Sequence, residues 1–333
     1  MNIVKNIIKF FLIIVVLYYV LYFIAVYKDV ILSIGANKTL TGKIIYSLSG
    51  VDIKTIDFPS GRERSIYSVP QERKGYLDCI NSFSFSPDGN KVVFAKMDYL
   101  GSGYKNKLYI MNSDGTDMKK LLDLGEDTNM FYPCWSPNGK YIAFAFHRPY
   151  KHGGLYVFNV TNPYGTLRII TDLRPAIHKI AWSPDSRKIA FISDEYITKT
   201  INEKLYVEFF VGRIFLINDD GTDLRPLTIG TKMSWSPDST RLVYEGEDGF
   251  YVINEDGSNR AQFVSYSKPP LSFVVGDASD TAWSPDGKYI AFIKEIWPGL
   301  CGLGIYVVPI DNPKKQIRIA TDNEAIIGMS WVK

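Results

Sequence analysis

Apolar and polar residues alternate in short runs over most of the chain, the two-residue period of half-buried strands. Such runs stand at Lys91 to Ala95, Tyr141 to Ala145, Lys188 to Ile192, Arg241 to Tyr244 and Tyr289 to Ile293. A second strand follows, as in Leu108 to Met111, Leu155 to Phe158 and Ile305 to Val308. Asp-Gly turns at Asn112 to Thr116, Asn218 to Thr222 and Asn254 to Ser258 then lead into a third, because Gly supplies the positive φ that tight hairpins need.

The strand pattern is periodic. Each repeat opens on an aromatic residue followed by Ser-Pro-Asp or Ser-Pro-Asn, with anchors at Phe85, Trp135, Trp182, Trp235 and Trp283, and Trp331 closes the series. The intervals are 50, 47, 53, 48 and 48 residues, and five of the 6 tryptophans share this register. Four strands in each interval describe a propeller blade rather than a helical solenoid. The residues before the anchors, Ser84, Cys134, Ala181, Ser234, Ala282 and Ser330, are all small, so the inner strands are expected to pack closely around an axis. The predicted fold is all-β, a six-bladed β-propeller. Its sixth blade joins the two ends of residues 43–333: Lys43 to Ser47, Asp52 to Phe58 and Arg62 to Val69 supply three strands, and Ile326 to Trp331 the innermost. Closure of this kind removes free sheet edges, so loss of Ile326 to Lys333 is expected to prevent folding.

The N-terminus breaks the pattern. Residues 10–27 form an uncharged run without Gly or Pro, and 13 of its residues are Leu, Ile, Val or Phe. At 1.5 Å per residue it reaches about 27 Å, close to a bilayer core. This predicts one transmembrane helix, a signal anchor that contacts the lipid bilayer, between a short segment 1–9 and a linker 28–42. Lys5 and Lys9 precede the run, whereas Asp29 offsets Lys28 after it, which places the N-terminus in the cytoplasm and the propeller outside. Ser33-Ile34-Gly35 offers small residues at positions suited to cleavage, and cleavage would give a secreted or periplasmic protein.

Composition narrows the function classes. Hydrophobic residues make up 46% and charged residues 22%, the balance of a chain that buries a core, which excludes a disordered or fibrous protein. A net charge of +3 lacks the basic field that phosphate-backbone binding requires, so no nucleic-acid partner is expected. The 3 cysteines, Cys79, Cys134 and Cys301, show neither a disulfide framework nor zinc spacing.

Trp283-Ser284-Pro285-Asp286-Gly287-Lys288-Tyr289-Ile290-Ala291-Phe292 carries a resemblance to the TolB-type propeller family, whose repeat reads W-S-P-D-G-K-x-I-A-F. The resemblance covers about residues 43–333 and implies the six-bladed fold. The family's namesake has an α/β domain before its propeller, for which residues 28–42 leave no room, so a Tol–Pal role is not expected. Prolyl oligopeptidases join a similar propeller to an α/β-hydrolase domain. This sequence has no G-x-S-x-G elbow, and the expectation is that it lacks that peptidase activity.

No catalytic motif stands out. His147 and His152 share a polar loop without metal-ligand spacing, and Asn218 to Asp223 lacks the distal Glu of a calcium loop, so no metal or cofactor is expected. The anchor turns and Asp-Gly hairpins are uniform, whereas the opposite face carries loops that differ between blades, from Glu245–Gly249 to the long Ser193–Arg213. Recognition is therefore expected on the variable face. Its channel mouth would be lined by Asn81, Tyr132, His178, Lys179, Lys232 and Asp280, with Asp277 nearby, a polar funnel suited to a peptide end or small polar ligand. The run Tyr196 to Val211 either extends a blade hairpin or offers an apolar edge to another protein. The expected function is a non-catalytic protein- or peptide-binding or scaffold module. The alternative is an enzyme, a lyase or hydrolase on a sugar or peptide, with its site at the mouth; a His beside a carboxylate there would favour it. A purely structural envelope component is the third reading.

Overall fold

A computed structural model describes residues 40–48, 52–68, 80–99, 104–125, 128–148, 153–172, 176–201, 204–265, 280–297, 300–322 and 326–332. The predicted membrane span at 10–27 and the cleavage-like site at 33–35 lie outside these residues. Among the described residues no helix is long and apolar enough to cross a membrane.

Six four-stranded antiparallel sheets form six blades. Blade 1 unites the two ends as expected: its inner strand, Ile326–Val332, pairs with Gly42–Leu48, and Trp331 stands opposite Ile44. Asp52–Phe58 and Arg62–Ser68 complete it. The inner strands of blades 2 to 6 are Ile80–Phe85, Asn129–Trp135, Ile177–Trp182, Thr231–Trp235 and Thr281–Trp283. Each inner strand touches that of the next blade, and Ile326–Val332 touches Ile80–Phe85, so the circle closes. The TolB-type six-bladed propeller expected from the repeat is the observed fold.

The repeat motif works through its hydroxyl and its carboxylate. In blade 2, Ser86 Oγ donates to Asp88 Oδ1 at 2.5 Å and accepts the Lys91 N–H at 2.9 Å, while Asp88 Oδ1 accepts the Asn90 N–H at 3.1 Å. Asn138, Asp185, Asp238 and Asp286 repeat this pattern with Ser136, Ser183, Ser236 and Ser284. The next residue turns left-handed, at φ 70° for Gly89 and 71° for Gly287, which explains the glycine there. Blades 4 and 5 carry Ser186 and Ser239 instead, at φ 63° and 62°. Their hydroxyls accept the N–H of Asn138 and of Asp185 from the preceding blade, each at 3.0 Å, so the less favourable backbone gains a bond between blades.

The apolar core lies between blades as six clusters, one at each seam. Each anchor ring wedges against the blade before its own. Trp235 of blade 5 is buried among Ile192, Ile214 and Leu216 of blade 4, and its indole N–H donates to Ala181 O at 3.1 Å. Trp182 reaches Cys134 O in the same way at 3.2 Å. Trp331 sits at the seam of blades 6 and 1 and donates to Thr41 O at 2.9 Å. The small residues before the anchors leave the room these rings occupy. Trp283 departs from the pattern: its buried indole N–H has no hydrogen-bond partner, and the Arg241 guanidinium lies 5.2 Å over its ring.

Antiparallel alternation puts the Ser-Pro-Asp turns and the Asp-Gly hairpins on one face. The hairpins between second and third strands project from the other. Several strands run further than the hydrophobic pattern indicated, most of all Lys188–Ile201 and Lys204–Asn218, which pair continuously to Ile201 opposite Lys204. The run Tyr196 to Val211 thus extends the blade 4 hairpin. Blades 2 and 6 carry shorter extensions, Lys91–Tyr99 with Tyr104–Asn112 and Tyr289–Trp297 with Leu300–Pro309.

Lys107, on the third strand of blade 2, is wholly buried. Its ammonium meets Gly125 O, Thr128 Oγ1 at 3.1 Å and Asp123 Oδ1 at 3.0 Å, three acceptors that make the burial tolerable.

Candidate functional site at the channel mouth

Counting three residues back from each anchor gives one layer around the axis: Gly328, Ser82, Tyr132, Lys179, Lys232 and Asp280 in blades 1 to 6. The inner strands are irregular here. Register shifts occur between Ile80 and Ser82, Phe131 and Cys134, Ile177 and Lys179, and Thr231 and Ser234. Bulges of this kind redirect side chains, and Tyr132 and Lys232 both take the left-handed conformation at φ 52°, rare for residues other than glycine. Tyr132 is fixed by its N–H, which donates to Ser82 Oγ of blade 2 at 2.8 Å.

Charge in this layer is paired. The Lys179 ammonium of blade 4 donates to Asp280 Oδ1 of blade 6, and Asp280 also accepts the N–H of Thr281 at 2.8 Å and, through Oδ2, that of Met329 in blade 1 at 3.1 Å. Lys232 Nζ lies 2.5 Å from Glu245 Oε2, and its carbonyl accepts the Thr281 hydroxyl at 2.5 Å. Burial pulls the Lys179 ammonium down to about 7; nearby Cys134 acts against this and the like charge of Lys232 acts with it.

One residue further from the anchor, His178 Nε2 lies 2.7 Å from Asp194 Oδ2. The contact lacks hydrogen-bond alignment, and His178 Nε2 and Asp194 Oδ1 are both buried without a hydrogen-bond partner. Tyr132 sets its ring edge-on to His178 at 6.5 Å, and its phenol is raised by burial and by the Asp194 charge, so it keeps its proton. Arg213 and Glu195, 2.5 Å apart on the hairpin of blade 4, continue the polar wall. Cys134 has no acidic thiol to offer, because burial pushes it up to about 11.

Of the expected mouth residues, Tyr132, His178, Lys179, Lys232 and Asp280 come together. Asn81 stands on the inner strand of blade 2, but its side chain lies outside the described residues, as does Asp277 altogether. His147 is exposed at the end of its strand, and His152 lies outside the described residues. Sequence reasoning missed Asp194, Glu195, Arg213 and Glu245, the partners on second and third strands. Their signal was present: Asp194 and Glu245 are the charged residues where an apolar second strand reaches the variable face.

No family model matches the sequence. Dipeptidyl-peptidase 5 of Porphyromonas gingivalis is 26% identical over 228 residues, which cover 67% of this chain and 31% of that protein. The uncharacterized peptidase YuxL of Bacillus subtilis is 21% identical over 210 residues, 62% of this chain and 28% of that one. The chain thus spans about a third of the length of the curated relatives it matches. Among solved structures, TolB of Acinetobacter baumannii superposes with a TM-score of 0.62 at 13% identity, over 87% of this chain and 66% of that one.

These likenesses correct the expectation that the chain is not an enzyme. Both relatives named above carry peptidase names, and the missing G-x-S-x-G elbow gave no ground to set that class aside. The sequence named no carboxylate beside His178 at the mouth. His178 finds its carboxylate in Asp194, sixteen positions along the chain on the neighbouring strand of the same blade.

Proposed function

We propose that this propeller receives peptides at its channel mouth as part of a peptidase-type activity. The carrying observation is the His178–Asp194 pair beside two lysine–carboxylate pairs, whose lysines stand on the inner strands of blades 4 and 5. An imidazole with a carboxylate 2.7 Å away is the pair of groups that takes a proton from an attacking water or hydroxyl in acid–base catalysis. The lysines and carboxylates offer both signs of charge to the polar main chain of a peptide, and Tyr132 gives that site an aromatic wall. The names of the sequence relatives support the same reading. Within it, residues 10–27 hold the propeller to a bilayer on the outer side of the membrane, where peptides are the partner.

The test uses the full chain and a panel of peptides of two to six residues, with binding followed by calorimetry and cleavage by mass spectrometry. The account expects saturable binding and release of fragments, with cleavage lost in His178→Ala. Neither binding nor cleavage across the panel would overturn it.

A further inference from the structure

We propose that Lys179 and Lys232 together seat the free C-terminal carboxylate of a bound peptide. This rests on the peptide-handling reading and specifies which end of the peptide the mouth reads.

Both ammonium groups stand in the same layer on adjacent blades, and the carboxylates they touch are held by other donors as well. Asp280 keeps the N–H groups of Thr281 and Met329 at 2.8 and 3.1 Å, and Glu245 keeps the Thr231 hydroxyl at 3.2 Å. Either lysine can therefore turn to an incoming anion without stranding a buried carboxylate, the usual cost of breaking a buried pair. The reverse does not hold, because among the described residues the Lys179 ammonium donates to Asp280 alone. A cationic ligand taking Asp280 would leave the half-buried Lys179 without its partner.

The surroundings favour an anion between the two. Lys179 and Lys232 each stand three residues before the anchor on adjacent blades, so two ammonium groups converge on the same part of the mouth. Gly328 brings no side chain to the layer in blade 1, which faces blade 4 across the ring. A planar carboxylate has two oxygens, one for each ammonium, whereas an amidated end presents one neutral acceptor and a donor that both lysines repel. Tyr132 of blade 3 and His178 of blade 4, ring to edge at 6.5 Å, lie on the side of Lys179 away from blade 5, where the side chain of the last residue would rest.

The experiment titrates the full chain with tetra-alanine as the free acid, as the C-terminal amide and as the N-acetylated acid, with trigalacturonate as a non-peptide carboxylate. The free acid is expected to bind about tenfold more tightly than the amide, and N-acetylation to leave affinity within about twofold. In Lys179→Met/Lys232→Met the acid-to-amide ratio should fall to about one. Equal binding of acid and amide by the unaltered protein overturns the carboxylate seat while leaving peptide handling intact, and so does a loss of binding on N-acetylation. A ratio that survives in the double variant overturns the assignment to these lysines. Binding of trigalacturonate with no peptide bound overturns the peptide reading and this inference together, as does binding of none of the four; the acid-to-amide comparison needs no variant to fold.

Discussion

Lys179 and Asp280 join blades that are not neighbours: the ammonium comes from blade 4, the carboxylate from blade 6, and blade 5 lies between them. The same carboxylate accepts the Met329 N–H from blade 1, beside the seam where the two ends of the propeller meet. One aspartate thus braces the ring across its axis and at its closure.

The two partners are unequal, and their variants should show it. Asp280→Ala removes an acceptor from one ammonium and two backbone N–H groups, and is expected to cost about 2–3 kcal/mol. Lys179→Met leaves Asp280 with both N–H donors and should cost about 1 kcal/mol or less. Equal losses of stability in the two variants, measured by chemical denaturation, would contradict the brace.

Trp235→Ala should be among the most damaging single changes, at about 3–5 kcal/mol, because the ring fills the seam between blades 4 and 5. A fall of that size in denaturation measurements is the expected outcome. A loss under about 1 kcal/mol would mean that the anchor does not wedge between blades.

The ring was legible because its determinants are local and repeated. Ser-Pro-Asp and Trp recur every 47 to 53 residues, and the turn they make closes within five residues, as from Ser86 to Lys91. The site was legible only in part. Tyr132, Lys179, Lys232 and Asp280 stand three residues before their anchors and His178 four, so the repeat itself located them. Their partners do not. Asp194 meets His178 only after a hairpin turn, and Lys179 meets Asp280 across two blades, a distance that no spacing in the chain encodes. Lys107 escaped for a related reason: a lysine at an alternating strand position reads as solvent-facing, and only Asp123, Gly125 and Thr128 supply the acceptors that bury it.

Ser186 separates backbone strain from hydrogen bonding. Ser186→Ala keeps the left-handed residue and loses the bond from the Asn138 N–H, so a cost of about 1–2 kcal/mol is expected. Ser186→Gly loses the same bond but relaxes the backbone, and should cost clearly less. If glycine proves the worse substitution by thermal denaturation, the serine is not held as described.

Acid should act through Asp123. Burial alone would raise its carboxyl, but hydrogen bonds from Lys107, the Gly125 N–H and Lys120 outweigh it and hold the group at about 2, below the 3.8 of a free aspartate. A depressed folded-state value contributes stability above about pH 4 that disappears as pH falls toward 2. For a carboxylate exposed to this degree the contribution is about 1 kcal/mol after solvent screening. The stability difference between the native protein and Asp123→Asn, followed by urea denaturation, should therefore shrink between pH 4 and 2. A difference that stays constant over that range would exclude this linkage.

Hydrogen exchange read by mass spectrometry on the full chain, with and without saturating peptide, tests most directly where the molecule receives its ligand. The account predicts slowed exchange in the inner strands Ile177–Trp182, Thr231–Trp235 and Thr281–Trp283, with the outer strands and the Ser-Pro-Asp turns unchanged. Protection confined to the turn face or to outer strands such as Arg168–Thr171 would contradict it.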